Sequence, residues 1–190
     1  MRNLKKMSSF GLVLLITALV AAPASAAPDR TLSITAGQGA GWQGATAQGV
    51  TNYYYWDPVG AGNAGPLAHH VCNKEMTTYC EQIVLELRNP LTAAEQAAGV
   101  RDKSEPVTIW LDTFSPASGP VNDFDLLVYE SDAGGTRGPL IKFDGDLFNT
   151  TKELVTFYVA TDAATPSRFV LIDVVYYQVV NGSYRGHVNF

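Results

Sequence analysis

The chain predicts an all-β fold, an antiparallel β-sandwich or jelly roll of eight to nine strands with at most one short helix. Three features carry this. Short runs rich in Val, Ile, Tyr, Phe and Trp recur along the sequence, several alternating apolar and polar with the period of two that a half-buried strand imposes. Clusters of Gly, Pro, Asn and Asp separate these runs and supply turns. Residues 91–99 alone carry a helical pattern, so the crossover helices of a parallel α/β sheet have no counterpart.

The N-terminus is organised differently. Arg2, Lys5 and Lys6 precede an apolar run from Phe10 to Ala22, and Ala24-Ser25-Ala26 provides the small-x-small pattern of a cleavage site. The run falls short of the ~20 residues a membrane span needs. Residues 1–26 therefore read as a secretory signal peptide cleaved near Ala26, with the mature protein exported to the periplasm, the cell surface or the medium. Losing three basic and no acidic residues moves the formal charge from -5 to -8. So negative a chain is unsuited to nucleic acid or anionic lipid, which need clustered Lys and Arg.

Residues 27–49 are rich in Ala, Gly, Gln and Thr and read as a flexible N-terminal segment, with Trp42 as a plug for one end of the core. The β-sandwich domain is expected over 50–190, a length suited to one core. Val50 to Trp56 is its first strand, ended by Asp57-Pro58. Cys72 and Cys80 are the only cysteines, and in an exported chain such a pair closing a short loop reads as a disulfide. A zinc site with the neighbouring His69 and His70 is the weaker alternative, because structural zinc prefers tighter spacing. Gln82 to Arg88 alternates, with Ile83, Leu85 and Leu87 inward. Leu91 to Gly99 is the helix candidate, with Thr92 and Glu95 at capping-box spacing and Gly99 as its stop.

From Pro106 the strand signals follow closely. Val107 to Asp112, Phe124 to Glu130, Pro139 to Phe143, Glu153 to Ala160 and Arg168 to Val179 each read as one strand. Asn181-Gly182, a hairpin turn dipeptide, predicts that the Arg168–Val179 strand pairs with Ser183–Phe190.

Chemistry is less legible. There is no GxSxG elbow and no HExxH helix, and a Ser/His/Asp trio drawn from His69, His70 and His187 would be arbitrary. The chain is read as no enzyme; the alternatives are a secreted hydrolase with an unrecognised site, or a secreted structural or inhibitory protein. The acids suit Ca²⁺ better, since hard cations want several carboxylate and carbonyl oxygens. Asp123 and Asp125 share one face of an entering strand, with Asp112 upstream. These three are the candidate metal ligands, and capping of backbone N–H groups is the competing role for the pair. Asp144-Gly145-Asp146 is a second acidic turn. Tyr53, Tyr54, Tyr55, Trp56, Trp110, Tyr158, Tyr176 and Tyr177 are either core residues or a platform for a ligand.

Asp123-Phe124-Asp125-Leu126 with Tyr129, the Ser131-Asp132-Ala133-Gly134-Gly135 turn and Gly182-Ser183-Tyr184 together resemble the bacterial pre-peptidase C-terminal domain, a secreted jelly-roll-like sandwich. The likeness covers residues from about 106 to 190. It implies a non-catalytic binding or stabilising module, sometimes with Ca²⁺. The partner expected is an extracellular protein or polysaccharide.

Overall fold

The computed structural model describes residues 28–44, 50–51, 72, 80–114, 122–144, 152–179 and 182–190. The segment 1–26 read as a signal peptide, His69, His70, Asp146 and the Tyr53–Trp56 run lie outside them. Among the described residues ten strands and one short helix form two sheets. The strands are β1 (Arg30–Thr35), β2 (Gly39–Gln43), β3 (Val50–Thr51), β4 (Cys80–Arg88), β5 (Asp102–Phe114), β6 (Asp123–Ser131), β7 (Arg137–Asp144), β8 (Lys152–Asp162), β9 (Ser167–Val179) and β10 (Ser183–Asn189). Helix α1 spans Ala93–Ala97.

The first sheet, A, runs β1-β4-β9-β6-β7, with β3 also on β9; the second, B, runs β2-β10-β5-β8. All pairings are antiparallel except β1 with β4. Alternation explains the core. Ile83, Leu85 and Leu87 of β4, Phe124, Leu126 and Val128 of β6, and Val170, Ile172 and Val174 of β9 face inward from sheet A. Val107, Ile109 and Leu111 of β5 and Val155, Phe157 and Val159 of β8 meet them from sheet B. This is the all-β sandwich that the sequence predicts.

Two expectations change. The flexible segment 27–49 contains β1 and β2, and both belong to the sheets. Ile34 and Trp42 enter the core, and pairing with β4 and β10 supplies the order that composition does not. Gly39 and Gly41 tolerate this because they point outward on an edge strand. Trp42 does plug the core: it lies on Gly186, where an added Cβ would come within 2.0 Å of the indole. The second change concerns β9 and β10, which form no hairpin. Both edges of β9 are occupied, by β4 and β6, so the chain passes to sheet B and β10 inserts between β2 and β5.

The helix matches its sequence signal. Thr92 Oγ1 accepts from Glu95 N–H at 3.2 Å and Glu95 Oε2 accepts from Thr92 N–H at 2.6 Å. These bonds, then the Lys103 ammonium, hold the Glu95 carboxyl below its ordinary range.

Candidate functional site

Three predicted metal ligands come first. Asp123 and Asp125 lie on β6, whose residues from Asp123 to Tyr129 are all buried. Phe124, Leu126 and Val128 face the inter-sheet core, so Asp125 shares the opposite side of sheet A with Leu127. Asp112 follows the inward Leu111 on β5 and thus points out from sheet B, with its side chain 45 % exposed. The thickness of the sandwich, on the order of 10 Å between sheets, separates it from the pair. The three acids therefore share no site, and among the described residues no group of three or more His, Cys, Asp or Glu converges.

The outer side of sheet A is itself a small core. Cys72, Val84, Leu127, Tyr129, Leu171 and Val175 pack there, and Cys72 is bonded to Cys80 with the Cα atoms 5.6 Å apart. Asp173 sits fully buried among them. Arg137 Nη2 donates to Asp173 Oδ2 at 2.5 Å and to the Cys72 carbonyl at 2.5 Å, while Gln82 Nε2 donates to Asp173 Oδ1 at 3.0 Å. The Arg137 guanidinium also lies over the Tyr129 ring, 4.9 Å from its centre. Burial, then the Asp173 charge, pushes the Tyr129 phenol up to about 12.

A second polar network closes one end of the inter-sheet core. Tyr184 Oη donates to Glu81 Oε2 at 2.6 Å, Trp42 Nε1 donates to Tyr184 Oη at 3.3 Å, and Arg30 pairs with Glu81. Tyr176 and Tyr184 meet Phe124 at ring distances of 5.2 and 5.5 Å. Burial first, then the Glu81 charge, raises both phenols far above their ordinary value. Tyr176 is thus a core residue, while the side chain of Tyr177 lies outside the described residues.

The outer side of sheet B is open. Along β5 the outward positions are Thr108, Trp110, Asp112 and Phe114; along β8 they are Lys152, Leu154, Thr156 and Tyr158; along β10 they are Arg185, His187 and Asn189. Register lays them in rungs across the strands. One rung is Gly41, His187, Trp110, Leu154; the next is Gln43, Arg185, Asp112, Lys152. Phe114, Leu154 and Tyr158 are 49, 43 and 73 % exposed, on positions where a solvated sheet would carry polar groups.

The charges here are held on rings. The imidazole of His187 stacks on Trp110, 4.7 Å between centres and 8° between planes, and its Nε2 lies 3.1 Å from Asp112 Oδ2. Lys152 Nζ lies over Trp110 at 5.5 Å and the Arg185 guanidinium over Phe114 at 5.9 Å. Although both flank Asp112 in register, neither cation enters an ion pair among the described residues. Beside this face, between β8 and the ends of β6 and β9, an open cleft of about 290 Å³ is lined by Ile141, Phe157, Phe169, Glu130 and Arg168. Arg168 Nε donates there to the Ala160 carbonyl at 3.1 Å.

No protein-family model matches the chain, and no curated protein matches it.

Among the described residues, Trp110 and Tyr158 are thus the members of the sequence's aromatic set that reach this surface. Lys152, Leu154, Arg185 and Phe114 were not among the sequence candidates. A signal for two of them exists: Glu153, Val155, Phe157 and Val159 are the inward set of β8, and its outward set nevertheless carries Leu154 and Tyr158. The cation positions leave no such trace, because Lys152 and Arg185 belong to strands 33 residues apart that meet only across β5.

Proposed function

We propose that the protein is an exported, non-catalytic β-sandwich module that binds an extracellular protein or polysaccharide through the outer side of sheet B. The observation that carries this reading is the concentration of Phe114, Leu154 and Tyr158 with two ring-held cations on one open sheet face. The three stand four residues apart along the register, at the levels of 114, 110 and 106 of β5, and form a row of apolar groups interrupted by the Asp112–Lys152 and Thr108–Thr156 pairs.

Export is supported by the apolar, cleavable leader pattern and by the Cys72–Cys80 bond, since disulfides persist in oxidising compartments. Among the described residues no helix is long and apolar enough to cross a membrane. The likeness to pre-peptidase C-terminal domains points to the same class of function. Its Asp-x-Asp-Leu strand is β6, and the Asp132–Gly135 turn joins β6 to its antiparallel partner β7. In that turn Asp132 Oδ1 accepts from Gly134 and Thr136 N–H at 2.9 Å, and Gly135 takes φ +82°.

A capture experiment tests the reading. The mature chain, immobilised, is exposed to extracellular and cell-wall fractions beside a Leu154→Ser/Tyr158→Ser variant. Both side chains are exposed, so the variant keeps its melting temperature. Ligand retained by the parent and lost by the variant supports the proposal. Equal retention sinks it.

A further inference from the structure

The centre of the outer face of sheet B carries two cations to one acid, in a chain whose formal charge is -5. Among the described residues Lys152 and Arg185 flank Asp112 in one rung, while Asp102 and Asp162 stand on outward positions at the far end of β5 and β8. The Asp112 carboxylate is turned to His187 Nε2, and both cations are turned to rings. Held this way, each cation keeps N–H donors for an outside acceptor and has lost little freedom to do so.

Geometry narrows the acceptor. Lys152 and Arg185 are both in register with Asp112 on the central strand β5, so they stand two strand spacings apart, about 10 Å. The line joining them runs across the strands. A ligand contacting both runs from β10 over β5 to β8, perpendicular to the strands and over their faces. A peptide lying there would gain none of the main-chain hydrogen bonds that strand addition gives at a sheet edge. The face offers roughly 500 Å² (four strands wide, about 25 Å along β5), below the ~800 Å² each partner gives to a standard protein interface. Its centre is charged and contains a lysine, whereas protein interfaces are depleted of charge at the centre. A sugar polymer is read by side chains alone and needs no strand edge. Its pyranose C–H surfaces suit Leu154 and Phe114, each one outward position from this rung, and its anionic substituents suit the two cations.

Resting on the binding-module reading above, we infer that the ligand is a linear anionic polysaccharide. It lies across the strands of sheet B with one acidic group at Lys152 and another, about two strand spacings away, at Arg185. Affinity electrophoresis and calorimetry test this with polygalacturonate and chondroitin sulfate as acidic polymers, highly methyl-esterified pectin as the neutral counterpart, and oligoglutamate as the acidic peptide. The parent should bind at least one acidic polysaccharide, more weakly as salt rises. Lys152→Gln/Arg185→Gln should bind it about tenfold more weakly with an unchanged melting temperature.

Other outcomes overturn the inference and separate it from the broader reading. Equal binding of esterified pectin, or a double variant that binds like the parent, removes the anionic requirement and leaves a binding module for neutral glycans. Oligoglutamate bound in preference to both acidic polysaccharides replaces the glycan with an acidic peptide. No binding to any of the four, with capture from extracellular fractions still dependent on Leu154 and Tyr158, refutes the polysaccharide and keeps the module. No binding and no such capture removes both.

Discussion

Arg137→Met tests directly how the outer side of sheet A is held. Arg137 Nη2 bridges Asp173 Oδ2 and the Cys72 carbonyl, each at 2.5 Å, and so joins β7, β9 and the disulfide segment. The Asp173 side chain is fully buried and that of Arg137 is 29 % exposed. Removing one member of a fully buried pair costs about 3–5 kcal/mol, because the surviving charge stays in a medium that solvates it poorly. Solvent reaching Arg137 screens part of the attraction, which brings the expected loss to about 2–3 kcal/mol. For a domain of this size that is a fall in Tm of roughly 4–12 °C.

Urea unfolding followed by intrinsic fluorescence measures the loss, and Arg137→Met/Asp173→Asn serves as the control. With both charges gone, the double variant should recover at least half of what the single variant loses. A second readout is independent of stability. Arg137 lowers the Tyr129 pKa that burial and Asp173 raise, so its removal should drive the phenol above its value of about 12 in an ultraviolet difference titration. A single variant within about 0.5 kcal/mol of the parent, the size of an ordinary surface substitution, with Tyr129 titrating as before, would refute the clamp.

Tyr129, Tyr176 and Tyr184 have folded-state pKa values raised above the ordinary 10.0. Their contribution to stability is therefore complete below pH 10 and is lost as pH rises, through about 12 for Tyr129. Each group can lower stability by about 1.4 kcal/mol per pH unit in that window, and Tyr129→Phe should flatten the alkaline unfolding profile. Gly186→Val places a Cβ 2.0 Å from the Trp42 ring, so a loss of about 3 kcal/mol or more and a shifted tryptophan emission are expected. Because Asp112 is on the far side of the sandwich from Asp123 and Asp125, EDTA or millimolar Ca²⁺ should leave Tm unchanged. A rise with Ca²⁺ would instead place a cation at Asp123/Asp125, since binding the native state alone must stabilise it.

Most strands from residue 80 onward were legible because each has one face in the inter-sheet core. In β8 the pattern from Lys152 to Thr161 alternates exposed and buried without a break, which is what period-two sequence reading detects. β1 and β2 escaped it. Gly39 and Gly41 occupy outward positions of an edge strand, so the residues that suggest disorder are the ones the fold does not need to bury. The Asn181-Gly182 signal misled for another reason: turn chemistry fixes a reversal but not the sheet to which the chain returns. On the outer side of sheet B, Trp110 and Tyr158 were visible as aromatics. That Trp110 is wedged between His187 and Lys152 was not, because those residues arrive from β10 and β8.

The two outer faces of the sandwich are filled differently. On sheet A, β6 is buried from Asp123 to Tyr129 and β9 from Val170 to Tyr176, so both sides of these strands are filled. The cause is the packing of Cys72 against Val84, Leu127, Tyr129, Leu171 and Val175, locked by the Cys80 bond and by Arg137. A face so occupied is a second core, and Asp173 within it is held by Arg137 and Gln82. Among the described residues sheet B has no such cover on Leu154, Tyr158 or Phe114, and Lys152 and Arg185 rest on rings instead of on acids. The same chemistry thus has opposite uses on the two sides. An Arg over an aromatic ring at Tyr129 ties down a buried carboxylate, while the one over Phe114 enters no ion pair among the described residues. Substitutions of Arg137 and of Arg185 should therefore separate cleanly, the first changing stability and the second changing binding.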